Sequence, residues 1–285
     1  MFKTGIITDE VSQNLDDAIR VAKDYHLDAL EIRSVGEKNP FQMGEADYRA
    51  IHEQACGAGL EICCVGSPFF KCSCSDERAV AGHMEGLRRA IGGAHILGAR
   101  LIRGFNFWRD DGLSEAQIAD RFAPVLKLLE EEDMTMVLES EPSVNAGNMA
   151  KLAAFLKGVN HPRLRALYDP GNEICDPDAP PPHAQGYEAL RPWLAHVHVK
   201  DMIRTADGYD PACIGEGQVD FAAVFGALRR DGYDGYAVLE THWRIRQRMD
   251  EALMTRPQSS GFSLGGEAAS RACLEVLRRK YGFGA

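Results

Sequence analysis

The chain has 285 residues, 45% of them apolar and 26% charged, the composition of a globular protein with room for one large domain or two small ones. No apolar run approaches the ~20 residues of a membrane span. A net charge of −10 argues against a nucleic-acid partner, whose phosphates call for Lys and Arg. The opening MFKTGIITDEV lacks the basic-then-apolar layout of a signal peptide, so a cytoplasmic protein is expected. Its eight cysteines are then expected to be reduced. Cys72 and Cys74 have no matching pair at zinc-finger spacing and read as small buried or loop thiols.

In chain order, strands are predicted at Thr4–Thr8 and Ala29–Arg33, at Glu61–Gly66 after a turn at Gly57–Gly59, and at Arg100–Phe105 after Gly98. Ser114 then opens a capping box with Gln117. Behind it, Ile118, Phe122, Val125, Leu126 and Leu129 recur at helical spacing. The next strands are predicted at Thr135–Glu139, Arg165–Asp169 and Ala195–Val199. The segment Asp176–Gly186 carries Pro177, Pro180, Pro181 and Pro182 and cannot be regular helix. Asp201–Val219 is expected to be a long loop ending in Gly215-Glu216-Gly217. Asp220 caps a helix beginning FAAVFGALRR, and the eighth strand is predicted at Gly235–Glu240. Residues 245–263 look irregular. The tail Gly266–Tyr281 reads as a closing helix with Ala269, Ala272, Cys273, Val276 and Leu277 on one face. Eight strands separated by helical sequence, near the roughly 30 residues per βα unit of a TIM barrel, predict an α/β protein. The expected fold is a single (β/α)8 domain over residues 1–285 with a C-terminal closing helix.

Four of these strands present a metal-binding residue at or near their C-terminal ends: Glu139 in MVLESEP, Asp169 in ALYDPGN, His198 in AHVHVKD and Glu240 in AVLETHW. All strands of such a barrel end on the rim where active sites lie. Three carboxylates and an imidazole suit one divalent ion, Mn2+ or Mg2+ first, with Co2+ or Zn2+ as alternatives. Other rim positions are candidate substrate contacts: Glu31 and Arg33 on the second strand, Lys71 after the third, and Arg103, Asn106 and Trp108 after the start of the fourth. Lys200 and His242 stand two residues beyond His198 and Glu240 and should share their faces. His196 is expected on the barrel exterior, and His52, His83 and His95 in helices are expected to be structural.

With these segments in view, the sequence resembles the xylose-isomerase-like sugar isomerase/epimerase superfamily, which shares its barrel with the type IV apurinic endonucleases. The motif GEGQVDF at 215–221 resembles that family's entry into its eighth helix. ITDEVSQNLDDAI at 7–19 and GSPFFKC at 66–72 resemble a subgroup labelled as sugar phosphate isomerase/epimerase. The resemblance implies that Glu139, Asp169, His198 and Glu240 bind the metal and that Glu139 and Glu240 also act as acid and base. It departs from the epimerases at Asn172, where they carry His, and at Asn145, where they carry Glu. Glu141, two residues from Glu139, points to the same face of an extended segment. An Arg after the His ligand is kept as Arg204. Glu141, Asn172 and Arg204 thus join the candidate substrate contacts.

The expected activity is proton transfer beside a carbonyl through a metal-stabilised enediolate, giving isomerisation or epimerisation of a sugar, keto-sugar or polyol. The alternative on the same site is a dehydratase of the inosose or dehydroshikimate type, with His242 or Lys200 near the leaving hydroxyl. An apurinic endonuclease would need extra histidines and a basic groove. A carbohydrate sensor with a vestigial site would not need an intact ligand set. The expected partner is a small sugar or keto-polyol, with no nucleic acid and no membrane; a homo-oligomer is compatible with all of this.

Overall fold

A computed structural model describes residues 2–176, 186–206, 208–245 and 259–284. Among these residues ten strands are formed: β1 Lys3–Ile7, β2 Ala29–Ile32, β3 Glu61–Phe69, β4 Leu101–Gly104, β5 Thr135–Glu139, β6 Leu164–Tyr168, β7 Leu194–Val199, β8 Asp201–Thr205, β9 Gly208–Ala212 and β10 Tyr236–Leu239. Eight of them close a barrel in the order β1-β10-β7-β6-β5-β4-β3-β2, and every neighbouring pair is parallel. This is a (β/α)8 TIM barrel with helices outside. No described helix is long and apolar enough to cross a membrane.

Parallel strands are covered on both faces, which is why their sequences read as nearly unbroken apolar runs. In β5, Met136 and Leu138 join the large cluster beneath the helices, while Val137 belongs to a separate inner cluster with Ile7, Ala29, Cys64, Leu167 and Val238. That inner cluster plugs the barrel, so the polar residues one pleat further along sit on a packed floor. The alternation of side chains makes this automatic: Glu139 shares the face of Val137.

The helix signals act as expected. Ser114 and Gln117 form the capping box of the helix Glu115–Glu131, and Asp220 accepts from Ala223 N at 3.0 Å to cap Phe221–Arg230. The closing helix Gly266–Tyr281 buries Ala269, Cys273 and Leu277. Its first residue must be small, because a Cβ at Gly266 would overlap the carbonyl oxygen of Glu10.

Two expectations about loops change. Asp201–Val219 is not irregular throughout: β8 and β9 form an antiparallel hairpin turning near Gly208, whose φ is 140°. Its exposed residues carry no apolar run, so periodicity does not announce it. The loop beyond is organised by Asp201, whose carboxylate accepts from Gly215 N, Gly217 N and Val219 N at 2.8, 3.0 and 3.1 Å. Of the stretch 245–263, Ser259–Ser263 is helical and most of the rest lies outside the described residues. The proline run at Pro177 and Pro180 to Pro182 lies outside them too.

Candidate metal centre and its cavity

The barrel places Glu139 at the last residue of β5, Asp169 just beyond β6, His198 within β7 and Glu240 just beyond β10. Each offers one donor atom, and these four atoms lie within 4.8 Å of one another. None of the four residues is more than 2% exposed. Asp169 is also a helix cap. Its Oδ1 accepts from Gly171 N and Asn172 N at 2.8 and 3.1 Å, at the start of the short helix Pro170–Cys175. That cap holds Oδ1 in place and leaves Oδ2 toward the cluster.

The cluster is wrapped by cations. Lys200 Nζ lies 2.7 Å from both Asp169 Oδ2 and Glu240 Oε2. Arg33 spans Glu240 Oε1 at 2.6 Å, Asp9 Oδ1 at 2.9 Å and Glu10 Oε1 at 2.7 Å. Arg103 donates to Glu139 Oε2 at 3.0 Å, and Asn172 Nδ2 donates to Glu139 Oε1 at 2.6 Å. Burial acts to raise the Glu240 pKa, but Lys200, His242 and His198 outweigh it and hold the carboxylate well below its ordinary value. Burial likewise opposes ionisation of Glu139, and Arg103 beside it keeps the pKa lowered. Asp169 is pushed up to about 6 by burial, with Glu139 and Glu240 adding to the effect against Lys200.

His198 is aimed from behind. Its Nε2 donates to Glu31 Oε2 at 3.1 Å, and His196 Nε2 donates to the same oxygen at 2.8 Å. The other nitrogen of His198, Nδ1, is buried without a hydrogen-bond partner and faces Glu240 Oε2 at 3.4 Å. A carboxylate behind one ring nitrogen and a bare second nitrogen turned toward three carboxylates is a donor set that fits a divalent metal. Glu31 needs room to do this, since a Cβ at Gly66 would stand 2.5 Å from its Oε1.

A cavity of about 780 Å3 opens over the cluster. Arg33, Lys71, Arg103, Trp108, Glu141, Asn172, Lys200 and His242 all line it, as the strand ends suggested. Glu31 does not: it lies beneath, spent on the two histidines. Arg204 does not either, because its guanidinium donates to Ile174 O and Asp176 O and ties β8 to the segment after β6. His196 is not on the barrel exterior. Residues two apart in a strand share a face, so it points inward with His198. His83 sits on a helix as expected but also lines the cavity, while its Nδ1 accepts from Phe70 N at 2.8 Å. Asn145 is structural, donating to Asn106 O at 2.8 Å and accepting from Asp110 N at 2.9 Å.

Some residues of the site escape a strand-end search. Glu10 binds Arg33, His242 Nδ1 at 2.8 Å and His242 N at 2.9 Å. The acidic pair Asp9-Glu10 directly follows the first strand, and the rule that finds Glu139 could have found it too. Phe41, Phe105 and Tyr209 line the cavity with no polar signal to mark them.

The sequence matches the family described as xylose isomerase-like TIM barrel over residues 19–264. Solved structures share the fold at low identity. The 3-keto-D-glucoside 4-epimerase YcjR from E. coli superposes with a TM-score of 0.71 at 17% identity, covering 98% of this chain and 100% of that one. The probable 3-DHS dehydratase AsbF of petrobactin synthesis from Bacillus anthracis gives 0.74 at 18%, covering 98% and 100%. D-allulose 3-epimerase from Methylomonas sp. gives 0.71 at 18%, covering 98% and 97%.

Proposed function

This chain belongs to the xylose isomerase-like TIM-barrel family, and we propose that it is a divalent-metal-dependent isomerase or epimerase of a sugar, keto-sugar or polyol. The observation that carries this reading is the convergence of Glu139, Asp169, His198 and Glu240 on one point, with Glu139 and Glu240 lining a cavity and His198 held by Glu31. Similar folds include epimerases of keto-sugars, which agrees with it.

Glu139, Asp169, His198 and Glu240 would hold the metal, Mn2+ or Mg2+ by the chemistry of the donors. When bound it supplies positive charge to the substrate's carbonyl oxygen, making the neighbouring C–H more acidic. The protein's residues do the rest. Glu139 and Glu240 are both held as carboxylates, so either can accept that proton as the C–H electron pair moves into the enediolate. Arg103 and Asn172 fix the orientation of Glu139, and Arg33 that of Glu240. Lys200, 2.7 Å from Glu240 Oε2, is held as an ammonium by Asp169 and Glu240 and balances the charge on that side. A proton returned to the opposite face inverts the centre; one returned to the neighbouring carbon interconverts aldose and ketose.

A dehydratase is the second reading. Lys200 and His242 both line the cavity, and either would serve as acid to a departing β-hydroxyl after the same proton abstraction.

The test is solvent exchange. Metal-loaded protein is incubated in D2O with ketoses, inososes and dehydroshikimate, and exchange at the α-carbon and loss of water are followed by NMR. Exchange in the wild type that falls by about 10^2-fold or more in Glu139→Gln and Glu240→Gln supports the proposal. Absence of exchange with every compound, or exchange unaltered in both variants, refutes it; water loss selects the dehydratase.

A further inference from the structure

Glu139 and Glu240 bring the carboxylate cluster to one part of the cavity wall, and another part has a different character. From Glu139 the wall runs through Arg103 to Phe105, whose ring centroid is 5.4 Å from the Arg103 guanidinium carbon. On the same ring sits Lys71 Nζ, 4.3 Å from the centroid, and 5.8 Å beyond that ammonium is the ring of Trp108. Phe41 lines the cavity as well, wedged against Phe69 at 4.7 Å between centroids. The positive charge here is matched: Lys71 pairs with Glu141, which also accepts from Ser143 Oγ. This part is therefore an aromatic wall with a compensated ion pair and the small polar edges of Ser73 and Asp76.

We infer that this part is a second subsite, one that takes a neutral ring attached to the reacting sugar, so that the substrate is a keto-sugar glycoside rather than a free or phosphorylated monosaccharide. The inference rests on the proposed function for the reacting ring and adds the second ring. A volume of about 780 Å3 is in the upper part of the range that encloses drug-sized ligands, more than one pyranose fills. Trp108, the part-exposed ring of this wall, offers an apolar surface to a second ring, and the matched charges leave no surplus cation among the described lining residues to draw in a phosphate. An aryl or a second sugar ring meets the same chemistry.

Unreactive glycosides read the subsite directly. Calorimetric affinities for methyl β-D-glucoside, phenyl β-D-glucoside, cellobiose and glucose 6-phosphate are measured on metal-loaded and chelator-treated protein. Phenyl glucoside or cellobiose is expected to bind about tenfold more tightly than methyl glucoside, and which of the two leads identifies the ring. The advantage is expected to disappear in Trp108→Ala, to return in Trp108→Phe, and to disappear also in Ala79→Leu, which adds bulk on the cavity wall without removing a contact. It should persist after chelation, because the rings of the subsite are not among the four candidate metal donors. A second ring that adds less than twofold in the wild type, or glucose 6-phosphate binding most tightly, overturns the inference. The two readings fail separately. Deuterium exchange without a ring preference sinks the subsite alone. A ring preference without exchange on any keto-sugar sinks the proton-transfer reading alone.

Discussion

Glu31 Oε2 lies 3.1 Å from His198 Nε2, so a residue of β2 decides which nitrogen of a histidine on β7 faces the candidate metal centre. Glu31→Gln is expected to weaken Mn2+ or Co2+ binding by about 10- to 100-fold. Glu31→Asp should recover part of that loss. Metal titration followed by Co2+ absorbance checks this, with circular dichroism showing that the variant keeps its fold. An unchanged affinity in Glu31→Gln would remove Glu31 from the site.

Lys200 holds Asp169 and Glu240, two of the four proposed metal donors. Replacing it by Met takes the ion-pair partner from buried Asp169 and one of several from Glu240, at a cost of about 3–5 kcal/mol in the chelated protein. A divalent ion restores that charge. The rise in melting temperature on adding Mn2+ should therefore be larger in Lys200→Met than in the wild type. Equal shifts in the two proteins would mean that lysine and metal do not compete for the same oxygens.

Gly66 and Gly57 form a matched pair. A methyl at Gly66 meets Glu31 Oε1, whereas one at Gly57, the last residue of the helix Glu45–Gly57, meets nothing within 4 Å. Gly66→Ala is expected to cost about 1–3 kcal/mol and to weaken metal binding along with it. Gly57→Ala should change stability by about 1 kcal/mol or less. Thermal melts and the same metal titration measure both.

Glu173 supplies a pH signature. Burial pushes its pKa up to about 7 from 4.5. The folded protein then holds a proton that the unfolded chain has already lost, so unfolding between these values releases protons. Stability from this group is complete below pH 4.5 and is lost as pH rises through about 7. Glu173→Gln stays neutral throughout and is expected to raise stability by about 1–3 kcal/mol at pH 8, with little change near pH 4.5. Equal effects at the two pH values in denaturant titrations would contradict the assignment.

All eight barrel strands and the four candidate donors were legible in the sequence, for a local reason. A strand buried on both faces must be an unbroken apolar run, and a polar residue is admitted where that run reaches the rim. His196 shares the inward face of His198, contrary to its expected exterior position, and the β8–β9 hairpin escapes a periodicity search because its mixed polar strands carry no apolar pattern.

What depended on the closed barrel is the set of contacts across it. Nothing near His198 in the chain marks Glu31 as its partner, and nothing near Glu240 marks Arg33; 167 and 207 residues separate those pairs. The aromatic wall likewise brings Phe41, from the segment after β2, together with Phe105 and Trp108 after β4. Periodicity and strand-end chemistry report what each segment does alone, and so they reveal which residues can bind a metal. Which charges neutralise one another, which ring nitrogen is bare and how far the cavity extends are properties of side chains meeting across space, and closure of the sheet settles them.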